Sequence, residues 1–329
     1  MENFLKTLLK SRIYKDDVSL IKFINSNNLF HFIYYSFKEK QNLSYCDLYN
    51  RISSYYIKRK KENLLLLAEW WEIKKILDEY NIECNLFKGL SLSYQLFQNP
   101  LIRITNDLDI FIDYEDFNKV KKILNDLGYE IVSPRKNENI NEKNKKIISQ
   151  VRFINKTKKF CIELHFSFFE TYVCFNHSLK NFITYKEKAL NFYNPEFLLL
   201  YTINHAWINS FNKFVYLSDI SIMLEKFFID YNFLKRIIPF KKNFSLVKIS
   251  FKLCKFYFGT KVPDEFLKLN FLERIFYLFL RKELKKRIKH GCSKSNRIKK
   301  LFLLIFFLRS IRDIIKFVKY KIEYKLNFK

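Results

Sequence analysis

Glycine and proline are scarce, at 4 and 5 in 329 residues. Barrels and sandwiches need both at their many turns, so the shortage argues against those architectures and for a chain rich in helix. The 6 cysteines stand at 46, 84, 161, 174, 254 and 292 without a CxxC pair, which excludes a disulfide scaffold and a ribbon-type zinc site. MENFLKTLLKSR at the start carries no secretory leader, and a reduced, cytoplasmic setting is expected. The longest apolar run near the end, residues 301–308, is far shorter than the roughly 20 residues of a spanning helix. GxSxG, HExxH, GxGxxG and a Walker A loop are all missing, which disfavours hydrolase, zincin, dinucleotide and P-loop readings. Acids are the minority charge, 33 against 60 Lys and Arg, for a net +27. Such a charge suits an anionic partner. The abundance of Lys, Asn, Ile, Phe and Tyr also fits an A/T-biased coding sequence, which raises Lys without selection for binding.

What is present changes character along the chain. LLLLAEWWEIKKILDEY (64–80) has apolar residues at helical spacing, and residues 1–80 read as a helical region. ECNLFKG (83–89) reads as a short strand ending in glycine, and LSLSYQLF (90–97) as the helix after it. IRITNDLDIFID (102–113) alternates, so Asp107, Asp109, Phe111 and Asp113 share one strand face and Leu108, Ile110 and Ile112 the other. EDFNKVKKILNDLGY predicts a helix capped by Gly128, followed by a strand at 129–132. A polar loop, SPRKNENINEKNKK, precedes SQVRFIN and FCIELHF, which read as a hairpin turning at Lys156 to Lys158. An α/β core over 81–190 and a helical region over 191–329 follow.

Like charges at adjacent positions on one strand face stabilise nothing, so the acids of 107–113 call for a cation or for solvent. Two ionised carboxylates about 7 Å apart repel by on the order of 1 kcal/mol, and neutralising Asp109 should leave the metal-free protein no less stable. Two carboxylates on a strand can hold Mg²⁺. Glu163 could complete the set from a neighbouring strand, because Ile162 and Leu164 must face the core and leave Glu163 and His165 on the opposite face. Gly89 at a strand-to-helix turn would let backbone N–H groups approach a phosphate, with Ser91 and Ser93 adding hydroxyls and Lys88 a charge; a plain turn residue is the competing reading. Tetrahedral zinc on Cys161, His165, Cys174 and His177 is a further alternative, with spacings that match no common zinc module.

The order FKG, then R…DLD, then LGY, then ELH resembles the bacterial nucleotidyltransferase-like family of the polymerase-β superfamily, over about residues 60–225. The resemblance implies an α+β fold, with a small mixed sheet of polymerase-β type flanked by N- and C-terminal helical regions. It implies Asp107, Asp109 and Glu163 as the catalytic and metal-ligating acids, with Mg²⁺ or Mn²⁺ as cofactor and an NTP as substrate. The Gly89 turn would hold phosphates, aided by Lys88, Ser91 and Arg103, and His165 would position a phosphate or orient Glu163. Where the superfamily has Gly-Ser or Gly-Gly, this chain has Gly89-Leu90. PEFLLLYTINHAWIN and YLSDI resemble the family's helical region, with His205 and Asp219 as pocket candidates; an ordinary packed helix histidine is the other reading of His205.

The implied activity is metal-dependent NMP transfer from an NTP to a hydroxyl acceptor, a small molecule or biosynthetic intermediate in preference to nucleic acid. The alternative is a non-catalytic basic helical protein that binds anionic membrane or nucleic acid. Its peripheral contact would run through 301–320, where Arg309, Arg312, Lys316 and Lys319 alternate with Ile311, Ile314, Ile315 and Val318.

Overall fold

The computed structural model describes residues 17–38, 46–133, 150–166, 183–187, 190–238 and 241–290. The polar loop, Cys174, His177 and the 301–320 segment lie outside these residues. The described residues fall into two compact units, one drawn from 17–58 and 195–290, the other from 59–194.

The 59–194 unit is built on a five-stranded sheet in the order β1-β2-β5-β4-β3. Its strands are β1 (Cys84–Phe87), β2 (Leu108–Ile112), β3 (Glu130–Ser133), β4 (Gln150–Asn155) and β5 (Phe160–His165). The sheet is mixed, since β2 runs parallel to β5 while every other pairing is antiparallel. Alternation decides its two faces. Ile110, Ile112, Val151, Phe153, Ile162 and Leu164 are buried on one side, in a core with Leu66, Trp70, Ile73 and Leu77 of the Cys46–Glu79 helix. Those helix positions recur at intervals of three and four, the spacing of one helical face. Each such side chain contributes about 1.5–3 kcal/mol relative to exposure.

Helix and sheet are also joined by polar contacts. Buried Glu69 accepts from Tyr129 Oη at 2.9 Å and from Lys158 Nζ, in the β4–β5 turn, at 2.8 Å. A second hairpin, β6 (Ile183–Glu187) with β7 (Leu190–Tyr193), is fastened by Tyr193. The Tyr193 N–H donates to Gln95 Oε1 at 3.1 Å, and its hydroxyl donates to the Leu86 carbonyl at 3.0 Å.

Two expected boundaries shift. The first long helix begins at Cys46, well before residue 64, and a 3-10 turn (Tyr114–Asp116) precedes the Phe117–Asp126 helix. The hairpin forms with its turn at 156–159, and Gly128 adopts φ +81° after the Phe117–Asp126 helix, the left-handed conformation that ends helices and suits glycine.

The other unit is helical in its described residues: Asp17–Ser26, Phe30–Lys38, Pro195–Ile208, Val215–Lys226, Tyr231–Ile237, Lys241–Phe258 and Phe271–His290. In its core Phe214 meets Phe23 at a tilt and Tyr257 edge-on, and buried Trp207 donates to Ser250 Oγ at 3.1 Å. His205 packs edge-on against Tyr216, while Asp219 is buried 4.0 Å from His31. Among the described residues no helix is long and apolar enough to cross a membrane.

Candidate active site

The face of the sheet opposite the core carries a row of functional side chains. Cross-strand register sets Phe87 beside Asp109, Asp109 beside Glu163, and Glu163 beside Arg152. The carboxylates of Asp109 and Glu163 and the imidazole of His165 each place one ligand atom within 4.8 Å of the other two. Asp107 precedes β2 in a bend, and its carboxylate lies outside that group; Oδ1 accepts from Thr105 Oγ1 at 3.1 Å. Asp113 is exposed beyond the strand's end.

The approach to β2 is held from two helices. Buried Asn63 donates to the Arg103 carbonyl at 2.8 Å and accepts from the Thr105 N–H at 3.1 Å. Ser93 accepts from the Arg103 N–H at 2.9 Å and donates to the Asn99 carbonyl at 2.8 Å. These bonds satisfy backbone groups that a strand would otherwise pair, and they set the point at which Asp107 and Asp109 enter the sheet. Ser93 is thereby a structural residue, and Ser91 is 1% exposed within the Gly89–Phe97 helix.

The turn after β1 has two successive residues at positive φ, Lys88 at 55° and Gly89 at 30°. For lysine this is a strained conformation, which surrounding contacts must maintain. One is visible: Lys88 Nζ bonds Asp109 Oδ1 at 3.0 Å, with 15% and 7% of the two side chains exposed. Gly89 meets the approach to β2, since a Cβ there would stand 3.1 Å from Thr105 Oγ1. A turn expected to face phosphate through its backbone therefore also packs against the threonine that holds Asp107.

Electrostatics follow from burial and neighbours. Burial pushes Asp109 upward, but the Lys88 charge and the His165 hydrogen bond outweigh it and hold the carboxyl below its ordinary range. An ionised carboxylate cannot donate, so neutral His165 donates through Nε2 to Asp109 Oδ1 at 2.9 Å. Burial and the nearby Lys88 charge lower the imidazole to about 4. Glu163, 3.8 Å from His165, is pushed up to about 7 by burial and then by repulsion from Asp109 and Asp107. Burial and Asp109 likewise raise Asp107, against Lys88, Thr105 and Arg103.

Two of the three acids thus hold their protons more readily than usual, chiefly because burial penalises their negative charge and then because the acids repel one another. A divalent cation would offset both, and the residues present fit one. Two carboxylates with an imidazole suit Mn²⁺ at least as well as Mg²⁺, whose preference is for oxygen.

Arg152, absent from the sequence-based site, adjoins it: Nε lies 3.7 Å from Glu163 Oε1 and donates to Cys161 Sγ at 3.0 Å. A signal was available. A turn at 156–159 pairs 152 with 163, and alternation in QVRFIN turns Arg152 away from the core. Cys161 and His165 of the zinc alternative share β5, yet Cys161 Sγ meets Arg152.

No curated protein matches the sequence. A family model described as an uncharacterised nucleotidyltransferase matches residues 15–254, a span that includes every residue of the site. The match covers most of the chain and bears out the resemblance carried by the KG, DLD and ELH pieces: this protein belongs to that uncharacterised nucleotidyltransferase family.

Proposed function

We propose that the protein is a metal-dependent nucleotidyltransferase of polymerase-β type that transfers NMP from an NTP to a hydroxyl acceptor. The observation that carries this reading is the convergence of Asp109, Glu163 and His165 on one sheet face, in a chain whose family is one of nucleotidyltransferases. The adjacent parallel strands β2 and β5, each bearing a carboxylate, support the polymerase-β type.

In this reading Asp109, Glu163 and His165 would hold Mn²⁺ or Mg²⁺, with Asp107, now bonded to Thr105, as a further carboxylate beside them. A divalent ion so held supplies charge neutralisation for phosphates and acidifies a coordinated hydroxyl. Lys88, freed from Asp109, and Arg103 bind phosphate oxygens, with the N–H groups that open the Gly89–Phe97 helix. Glu163 presents a carboxylate that ionises near neutral pH. The acceptor is a small molecule or biosynthetic intermediate. The setting is cytoplasmic and reduced, in line with Cys84, Cys161 and Cys254 being buried thiols.

Mn²⁺ titration followed by electron paramagnetic resonance tests the reading. The parent should remove free Mn²⁺ from solution, and Glu163→Gln should not. Equal uptake by both places the ion elsewhere and defeats the assignment.

A further inference from the structure

The sheet face that carries the site holds one strongly basic side chain to which neither the family match nor the motif resemblance gives a role. We propose that Arg152 is a phosphate-binding residue of the site, gripping the polyphosphate chain of the nucleotide from the side opposite Lys88. This rests on the nucleotidyltransferase reading and adds β4 to the strands that build the site.

Position is the first support. Arg152 lies directly across from Glu163, so the row on this face runs Lys88 on Asp109, then Glu163, then Arg152. Two acids stand between two bases. Glu163 uses its two oxygens in opposite directions. Oε2 faces His165 at 3.8 Å, within the group that would ligate the ion, and Oε1 faces Arg152 Nε at 3.7 Å. A phosphate brought to Glu163 would therefore meet the same guanidinium.

Presentation is the second. Among the described residues, the Arg152 guanidinium makes its contacts through Nε, to Cys161 and Glu163, and the side chain is 47% exposed. Nε is the inner donor of the fork. The Nη edge, with four N–H donors in one plane, matches two oxygens of a phosphate. Cys161 acts as a positioning residue, since its buried sulfur fixes the guanidinium plane.

Charge is the third. Asp107, Asp109 and Glu163 are balanced by Lys88, Arg103 and Arg152, all of which act electrostatically on these acids. Each base that only neutralised an acid would be displaced from its task when a cation arrives. A base with an open donor edge gains a new partner at that moment, the phosphate brought by the cation.

Inorganic tripolyphosphate probes the proposal without knowledge of the base. Affinities of the full-length protein for Mn²⁺ alone and for Mn²⁺ with tripolyphosphate are measured by calorimetry for the parent, Arg152→Ala and Arg152→Lys. Arg152→Ala should bind Mn²⁺ alone as tightly as the parent or more tightly, because a competing cation is gone. It should bind tripolyphosphate with Mn²⁺ about 10- to 100-fold more weakly, the loss of a charge-assisted bidentate contact. Arg152→Lys, a point charge without the fork, should fall between. Unchanged tripolyphosphate affinity in Arg152→Ala overturns the proposal. So does a parallel loss of Mn²⁺ affinity, which would make Arg152 a structural support for Glu163. A parent that binds no Mn²⁺ overturns the metal reading itself.

Discussion

Asp109→Asn separates the structure from the simplest electrostatic expectation. Two acids on one strand face repel, and repulsion alone predicts that removing one charge leaves the metal-free protein at least as stable. The fold reverses that sign. Asp109 Oδ1 accepts from Lys88 Nζ at 3.0 Å and from His165 Nε2 at 2.9 Å, on a residue only 6% exposed. An asparagine oxygen can still accept, so the loss is less than the 3–5 kcal/mol of a broken buried pair; about 2–3 kcal/mol remains for the charge-assisted part. At about 2–4 °C per kcal/mol, Tm in the absence of metal should fall by roughly 4–12 °C. The pH dependence follows from the lowered carboxyl. A depressed acid contributes stability above its unfolded value of 3.8 and loses it as pH falls toward the folded one, so parent and variant should converge only below about pH 4. Differential scanning fluorimetry at pH 3 to 8, in chelator, gives the comparison. A variant as stable as the parent at neutral pH would show that the Lys88 and His165 contacts do not stabilise the site.

Glu163, faced by Asp107, Asp109, Lys88, His165 and Arg152, is raised to about 7. Its contribution to metal-free stability is present below 4.5 and lost as pH rises through 7, and a proton competes with metal throughout that window. Mn²⁺ affinity should therefore weaken by about tenfold per unit below pH 7, with proton release detectable by calorimetry in buffers of different ionisation enthalpy; pH-independent binding would contradict it. Gly89→Ala places a Cβ 3.1 Å from Thr105 Oγ1 at a φ of +30°. It should cost about 1–2 kcal/mol, read as a lower Tm with Mn²⁺ binding retained, and an unchanged Tm would mean that the turn relaxes freely.

Much of the sheet was legible because its periodicity is undisturbed. Leu108, Ile110 and Ile112 alternate with Asp109 and Phe111, and the NKTKK turn separates two strands of matching length. Asp109, Glu163 and His165 follow from that alternation. What joins them does not. The strained Lys88–Gly89 turn folds the lysine onto Asp109, and Asn63 grips residues 103–105 from forty positions away. No local pattern encodes either contact. Asp107 and Asp109 look equivalent as a DxD, but the strand begins at Leu108 and leaves Asp107 in the bend before it. The β6–β7 hairpin escaped notice because ITYKEKALNFY contains neither glycine nor proline to mark its turn.

Nucleotidyl transfer itself is tested most directly by incubating the parent, Asp109→Asn and Glu163→Gln with each of the four α-labelled NTPs and a small-molecule extract. Mn²⁺ or chelator is added, and the NMP-bearing products are identified by mass spectrometry with pyrophosphate release followed in parallel. Labelled product and pyrophosphate should form together, only with the parent and only with metal. Product that forms equally with the variants, or a parent that turns over no NTP in the presence of metal, would contradict catalysis at Asp109 and Glu163.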